Sequence, residues 1–192
     1  TIRLENMRLT EKVHHILTNH LKEGYQAIDA TAGNGYDTLF LAEQVGPSGK
    51  VIAIDIQDCA IRSTRERLES AGLIDRVRLL TDDHAVALKK LTASNRGSVA
   101  AITFNLGYLP GSDKSIQTRA ESTEEALAAS IQLLTPGGYL CVTAYRGHSG
   151  GTSEAKTVEA FMRKSQTERQ AVDCYEPESG NSPPVLWVLK KN

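Results

Sequence analysis

Residues Asp29-Ala30-Thr31-Ala32-Gly33-Asn34-Gly35 join the end of an apolar strand to the start of a helix through two glycines. Gly33 and Gly35 can adopt backbone angles closed to other residues, and helix N–H groups beyond Gly35 face the crevice above the sheet. An α/β sheet binds nucleotide-like ligands at such a turn. A second buried-strand pattern, Val51-Ile52-Ala53-Ile54, ends in Asp55, about 20 residues past the glycines, where a carboxylate can accept hydrogen bonds from both hydroxyls of a ribose. A dinucleotide fingerprint would carry a third glycine where Thr38 stands, so a pyrophosphate cradle is not specified. Asp29 would repel a pyrophosphate and suits the cationic amino and sulfonium end of S-adenosylmethionine (SAM). The candidate cofactor residues are therefore Asp29, Thr31, Gly33, Asn34, Gly35, Asp37 and Thr38 along the turn, with Asp55 and Gln57 at the next strand end.

The second constellation follows the apolar run Ala100 to Phe104 and reads Asn105-Leu106-Gly107-Tyr108-Leu109-Pro110-Gly111. An Asn amide oxygen can accept an N–H bond and aim an amine lone pair at a methyl carbon, while Tyr108 can stack on a base. In-line displacement from a sulfonium needs orientation and a neutral amine more than a strong base. Asn105 and Tyr108 are the candidate catalytic pair, with Asn105 also bordering the cofactor. Their spacing is similar to that of amino-directed nucleic-acid methyltransferases, which carry Asn or Asp, two residues often proline, and an aromatic. Leu106 and Gly107 stand where those prolines would be. The competing reading is a strand end in which Asn, Gly and Pro serve only a turn.

The elements that must position these residues alternate along the chain. Leu9, Val13, Ile16, Leu17 and Leu21 recur at helical spacing behind a Thr10 cap, predicting an amphipathic opening helix. Strands are predicted at about 26–30, 50–55, 76–81, 99–105 and 138–144, each followed by a helical pattern. After a helix near 153–165, Ala171 to Tyr175 and Val185 to Leu189 are strand-like and separated by Pro177, Gly180, Pro183 and Pro184, so they should pair antiparallel. Five parallel strands plus a C-terminal antiparallel hairpin make a doubly wound, seven-stranded α/β sheet resembling the class I SAM-methyltransferase (Rossmann-like) fold, expected as a single domain over residues 1–192. In that fold the loop after the third strand borders adenine, which adds Asp82, Asp83 and His84. Either aspartate could accept from the exocyclic amine, or cap the following helix.

Composition narrows the class. The 192 residues, 40% hydrophobic, suffice for one substantial core. Lys plus Arg is 22 against 23 for Asp plus Glu, a net charge of −1, so any nucleic-acid footprint must be local. Cys59, Cys141 and Cys174 are odd in number and lack C-x-x-C spacing, which predicts no metal site and no disulfide framework, only buried thiols in a reducing compartment. No apolar run reaches transmembrane length, and the first residues lack a signal-peptide core, so a cytoplasmic protein with no membrane partner is expected. Arg62, Arg65 and Arg67 read as a solvated helix face with helical ion pairs, and Trp187 as core.

DATAGNG followed by Asp37-Thr38-Leu39, NLGYLPG with Asp113-Lys114, Thr118-Arg119, and Tyr145-Arg146-Gly147-His148 before Gly150 together resemble the small bacterial YtqB/MnmM-type, rRNA-methylase-like family. The resemblance covers essentially the whole chain. It implies a SAM-dependent methyltransferase of tRNA modification that converts 5-aminomethyl-2-thiouridine at the wobble position to its 5-methylaminomethyl form, with the tRNA anticodon region as substrate. Tyr36 stands where the family is expected to carry a histidine, and His15 matches a histidine preceding the first strand. On the acceptor side the candidate substrate contacts are His15, Leu106, Gly107, Lys114, Arg119, Tyr145, Arg146 and His148. Lys114, Arg119 and Arg146 should converge at the carboxyl ends of adjacent strands, within reach of phosphates. A homodimer would enlarge a limited RNA-binding surface. A small-molecule or rRNA methyltransferase, or a SAM-binding module without catalysis, is the alternative.

Overall fold

The computed structural model describes residues 7–107, 120–147, 150–168, 170–176 and 183–192. Its strands are β1 (Gln26–Asp29), β2 (Lys50–Asp55), β3 (Val77–Thr81), β4 (Val99–Leu106), β5 (Leu134–Ala144), β6 (Gln170–Tyr175) and β7 (Val185–Lys191). They form one seven-stranded sheet in the order β3-β2-β1-β4-β5-β7-β6. β1 to β5 run parallel, and β7 lies antiparallel to both β5 and β6. The expected sheet is present. The strand order reverses between β1 and β4, where loops leave for opposite sides and open a crevice at the carboxyl edge. The register sets Asp29 beside Ala53 and Thr103, and Asp55 beside Thr81, so chemistry-bearing strand ends line up along that edge.

Helices cover both faces. On one, α4 (His84–Asn95), α5 (Ala120–Leu133) and α6 (Gly151–Ser165) bury Leu88, Leu127 and Val158 against Ile28, Ile102, Phe104 and Val142. On the other, α1 (Leu9–Thr18), α2 (Tyr36–Gln44) and α3 (Asp58–Ser70) bury Leu9, Val13, Leu17, Leu41 and Leu68 against Ala27, Val51, Ala101 and Val188. β4, covered on both sides, is apolar almost throughout, as a central parallel strand must be. Trp187 is core, as its sequence context predicts.

Three local expectations need correction. α1 begins at Leu9 and not behind Thr10, because the Arg8 N–H is taken by the Glu11 carboxylate at 3.0 Å, closing the first turn two residues earlier. β5 starts at Leu134, four residues early, because Val99 pairs with Leu134 ahead of a register shift that returns the ladder at Ala101 and Tyr139. Only Cys141 is buried, and burial raises its thiol to about 12; Cys59 and Cys174 are exposed. Among the described residues no helix is long and apolar enough to cross a membrane, and no cluster of His, Cys, Asp and Glu could hold a metal ion.

Candidate active site

The glycine turn is built as its sequence requires. Gly33 and Gly35 have φ of 54° and 79°, the left-handed region that side chains disfavour. A Cβ on Gly35 would also stand 2.8 Å from Thr64 Cα, so this glycine lets α3 close against the turn as well as reversing it. α3 then braces the outside: Thr64 Oγ1 donates to Gly33 O at 3.2 Å, and Arg67 Nε donates to Asn34 O at 2.7 Å. The Arg67 guanidinium lies 3.7 Å from the ring centroid of Tyr36. Arg67 therefore belongs to the turn and not to a solvated face; Arg62 and Arg65 are exposed as expected, without the anticipated ion pairs among the described residues.

Two carboxylates hold the inside. Asp29 is completely buried and accepts from Thr38 Oγ1 at 2.6 Å and from the Thr31 N–H at 3.2 Å. Burial, then the nearby Asp37 charge, pushes its carboxyl up to about 7. Asp55 accepts the Gly33 N–H at 2.9 Å on one oxygen and the Gln57 N–H at 2.9 Å on the other, tying the turn to the end of β2. Burial raises its carboxyl and these two N–H groups oppose the rise. Each Asp55 oxygen keeps a lone-pair direction for a further donor such as a ribose hydroxyl.

Beyond β3, Asp83 caps α4 by accepting from the Ala85 and Val86 N–H groups at 2.8 and 3.2 Å, realising the capping alternative. Asp82 pairs with Lys90 at 2.9 Å. His84 is buried edge-on to Phe104, and its Nε2 is the one buried side-chain polar atom without a partner among the described residues. Burial pushes its pKa down, favouring the neutral ring. Ile56 and Val86, beside Asp55 and Asp83, are 58% and 44% exposed. Neither was singled out from sequence, although an exposed apolar residue directly after a ribose-type carboxylate is a readable signal for a flat aromatic ligand.

Across the crevice, the Asn105 N–H donates to Thr31 Oγ1 at 2.7 Å, stitching β4 to the turn at the switch point. The Asn105 side chain donates through Nδ2 to Asp37 Oδ2 at 2.7 Å, and Asp37 Oδ1 lies 2.7 Å from His14 Nε2. A carboxylate only accepts, so Asp37 dictates that the amide nitrogen faces it and the amide oxygen turns away. The His14 ring stacks on Phe40, centroids 3.9 Å apart and 7° from parallel. Tyr145 lies close enough that burial and the Asp37 charge raise its phenol.

The histidine that reaches this cluster is His14, not His15. One residue turns a helix by about 100°, and His15 lies 3.5 Å from Asn19 Nδ2 along α1 itself. Leu106 shares the Phe104 face of β4, and its side chain is fully buried in the core. Gly107 is buried beside it. Arg146 is paired with Glu176 at 2.7 Å. Tyr108, Lys114, Arg119 and His148 lie outside the described residues.

A family model described as "Putative rRNA methylase" matches residues 51–190. The chain belongs to this family. It is 37% identical to a "putative rRNA-methylase" from Clostridium thermocellum, with a TM-score of 0.91, covering 98% of this chain and 100% of that one. It is 33% identical to a "putative methyltransferase" of Streptococcus mutans solved in complex with SAH, with a TM-score of 0.85, covering 97% and 99%. Over 166 residues it is 38% identical to the tRNA (mnm(5)s(2)U34)-methyltransferase, chloroplastic, of Arabidopsis thaliana, covering 80% of this chain and 58% of that protein. The chain spans about half the length of the curated relatives it matches. The class I methyltransferase fold read from the strand pattern is thus the fold of this family's solved members.

Proposed function

We propose that this chain is a SAM-dependent N-methyltransferase that converts 5-aminomethyl-2-thiouridine at the tRNA wobble position to 5-methylaminomethyl-2-thiouridine. The observation that carries the reading is the Asn105 amide at the end of β4, held through Nδ2 by Asp37 so that its oxygen is turned away from that carboxylate and left to accept. An amide oxygen turned from Asp37, next to the glycine turn, suits an acceptor bearing N–H groups. The family membership and the name of the Arabidopsis relative support an RNA acceptor.

The residues present fit SAM. Asp55 would hold the ribose and Ile56 and Val86 would flank the adenine, while Gly33 would face the methionine end, its turn held in shape from behind by the buried Asp29. When bound, SAM supplies an electrophilic methyl carbon on a sulfonium. The chain's own contribution is orientation and charge: Asn105 accepts an N–H of the amine and fixes the direction of its lone pair, and the Asp37 carboxylate favours a cationic neighbourhood. Tyr108 would pack on the modified base, and Lys114 and Arg119 would meet the anticodon backbone, with the protein acting in the cytoplasm, alone or as a homodimer.

The test is nucleoside mass spectrometry of bulk tRNA from a strain lacking the protein, paired with methyl transfer by the purified protein to tRNA carrying the aminomethyl precursor. Accumulated precursor and transfer in vitro are the expected results. An unchanged nucleoside profile overturns the RNA reading. The net charge of −1 favours the second reading, a small-molecule amine acceptor in the same site.

A further inference from the structure

Of the residues around the crevice, His14 has a geometry that neither packing nor cofactor binding accounts for. It comes from α1, which carries no part of the glycine turn, and it spends its Nε2 on Asp37 at 2.7 Å. The Asp37 side chain is 13% exposed and serves two partners at once, His14 on Oδ1 and Asn105 on Oδ2. Because a carboxylate can only accept, His14 must present an N–H there, in the Nε2-protonated form or as imidazolium. With one oxygen tied to α1, the plane of the Asp37 carboxylate is fixed, and with it the direction from which Asn105 Nδ2 must approach. Freed of His14, the carboxylate can rotate about its own side chain, and the Asn105 amide loses the constraint that keeps its oxygen turned away from Asp37.

We propose that His14 is a positioning residue for methyl transfer: acting through Asp37, it locks the Asn105 amide with its oxygen toward the acceptor nitrogen. The inference rests on the amine-acceptor reading above and adds a residue and a direction of control to it. The chain of contacts runs from His14 to Asp37 to Asn105 through two bonds of 2.7 Å, joining α1, α2 and β4. Phe40, stacked under the imidazole, restricts the ring to the plane that delivers Nε2 to Asp37. Positioning of a reacting group is worth orders of magnitude in rate while leaving ligand affinity nearly untouched.

Two substitutions separate this role from packing. His14→Phe keeps an aromatic ring on Phe40 and removes the donor; His14→Gln removes the ring and keeps an N–H at similar reach. Single-turnover transfer to precursor tRNA should fall about 10- to 100-fold in His14→Phe and recover to within about threefold of wild type in His14→Gln. SAM affinity by calorimetry should match wild type in both, which also reports that each variant is folded. Asp37→Asn should lower the rate as His14→Phe does. Imidazole nitrogen NMR of the wild-type protein should find His14 protonated at Nε2. A His14→Phe variant at the wild-type rate, the reverse ranking of Phe and Gln, or a neutral His14 protonated only at Nδ1 overturns the proposal. Wild-type protein that binds SAM but transfers nothing to precursor tRNA overturns the amine-acceptor reading instead, and the role of His14 falls with it.

Discussion

Asp29 and Asp37 stand at the two ends of one glycine turn and are used in opposite ways. Asp29 takes its donors from Thr31 and Thr38, two and nine residues away, and has no exposed surface. Asp37 takes its donors from His14 and Asn105, 23 and 68 residues away, and its side chain keeps 13% of its surface exposed. The first carboxylate is closed by its own neighbourhood and holds the turn in shape. The second exists as a site only once α1, α2 and β4 have come together. Within a single motif, then, local donors mark a frame residue and distant donors mark assembled machinery.

The largest effect should come from the assembled side. Asn105→Ala removes the oriented acceptor and should lower the single-turnover transfer rate by roughly 10- to 1000-fold with SAM affinity unchanged. A matching loss of SAM affinity would move Asn105 from the acceptor side to the cofactor side and erase the contrast with Asp29. Asp55→Ala is the counterpart on the frame side. It strips the acceptor from the Gly33 and Gln57 N–H groups as well as from a ribose, so calorimetry should show SAM binding weakened about 10- to 100-fold. Unchanged SAM affinity, or binding of NAD in its place, would assign the pocket to another ligand.

Gly35→Ala tests the frame through stability alone. The left-handed φ of 79° and the 2.8 Å approach to Thr64 Cα act together, and the variant should lose about 1–3 kcal/mol of stability, seen as a lowered Tm. Gly72→Ala, at φ 68° with open space around it, carries the conformational cost without the collision. The difference between the two variants isolates the contribution of α3 closing on the turn.

The same distinction explains what could be read from the sequence. The strands, their parallel order and the glycine turn follow from patterns a few residues long, and they emerge with small boundary shifts. Asp29, Gly33, Gly35 and Asp55 were legible because their partners lie within the motif or at a standard separation from it. His14 was not, since adjacent histidines on one helix are distinguished only by which one faces the sheet edge, and that is decided by how α1 packs Leu9, Val13 and Leu17. Arg67 was missed for a related reason. A mixed-charge helix face reads as solvated until a carbonyl from another loop, here Asn34 O, arrives beside it.

Asp29 should leave its own mark on stability. Its carboxyl rises from 3.8 to about 7 on folding, so between those values the folded chain retains a proton that the unfolded chain has released. The group's contribution is fully present below the lower value and is lost as pH rises through the upper one, at a slope of at most about 1.4 kcal/mol per pH unit. Urea denaturation across this window should show the decline, and Asp29→Asn should flatten it. An identical slope in the variant would mean that the Asp29 charge is compensated inside the fold, making it less unlike Asp37 than its burial implies.

The smallest effect belongs to Arg146, and it bears on how far the assembled side extends toward RNA. Its guanidinium already pairs with Glu176 at 2.7 Å, and the Glu176 side chain is 51% exposed, so breaking the pair should change stability by about 1 kcal/mol or less. For tRNA, an unpaired basic residue on a phosphate contributes about one unit to the log-log salt dependence. Glu176 already neutralises part of the Arg146 charge, and Arg146→Ala should therefore reduce the slope by less than the one unit of an unpaired phosphate contact. Glu176→Ala releases Arg146 and should tighten tRNA binding at low salt while leaving SAM affinity alone. If Glu176→Ala leaves tRNA affinity unchanged at every salt concentration, Arg146 lies off the RNA path, and the assembled side ends at Tyr145.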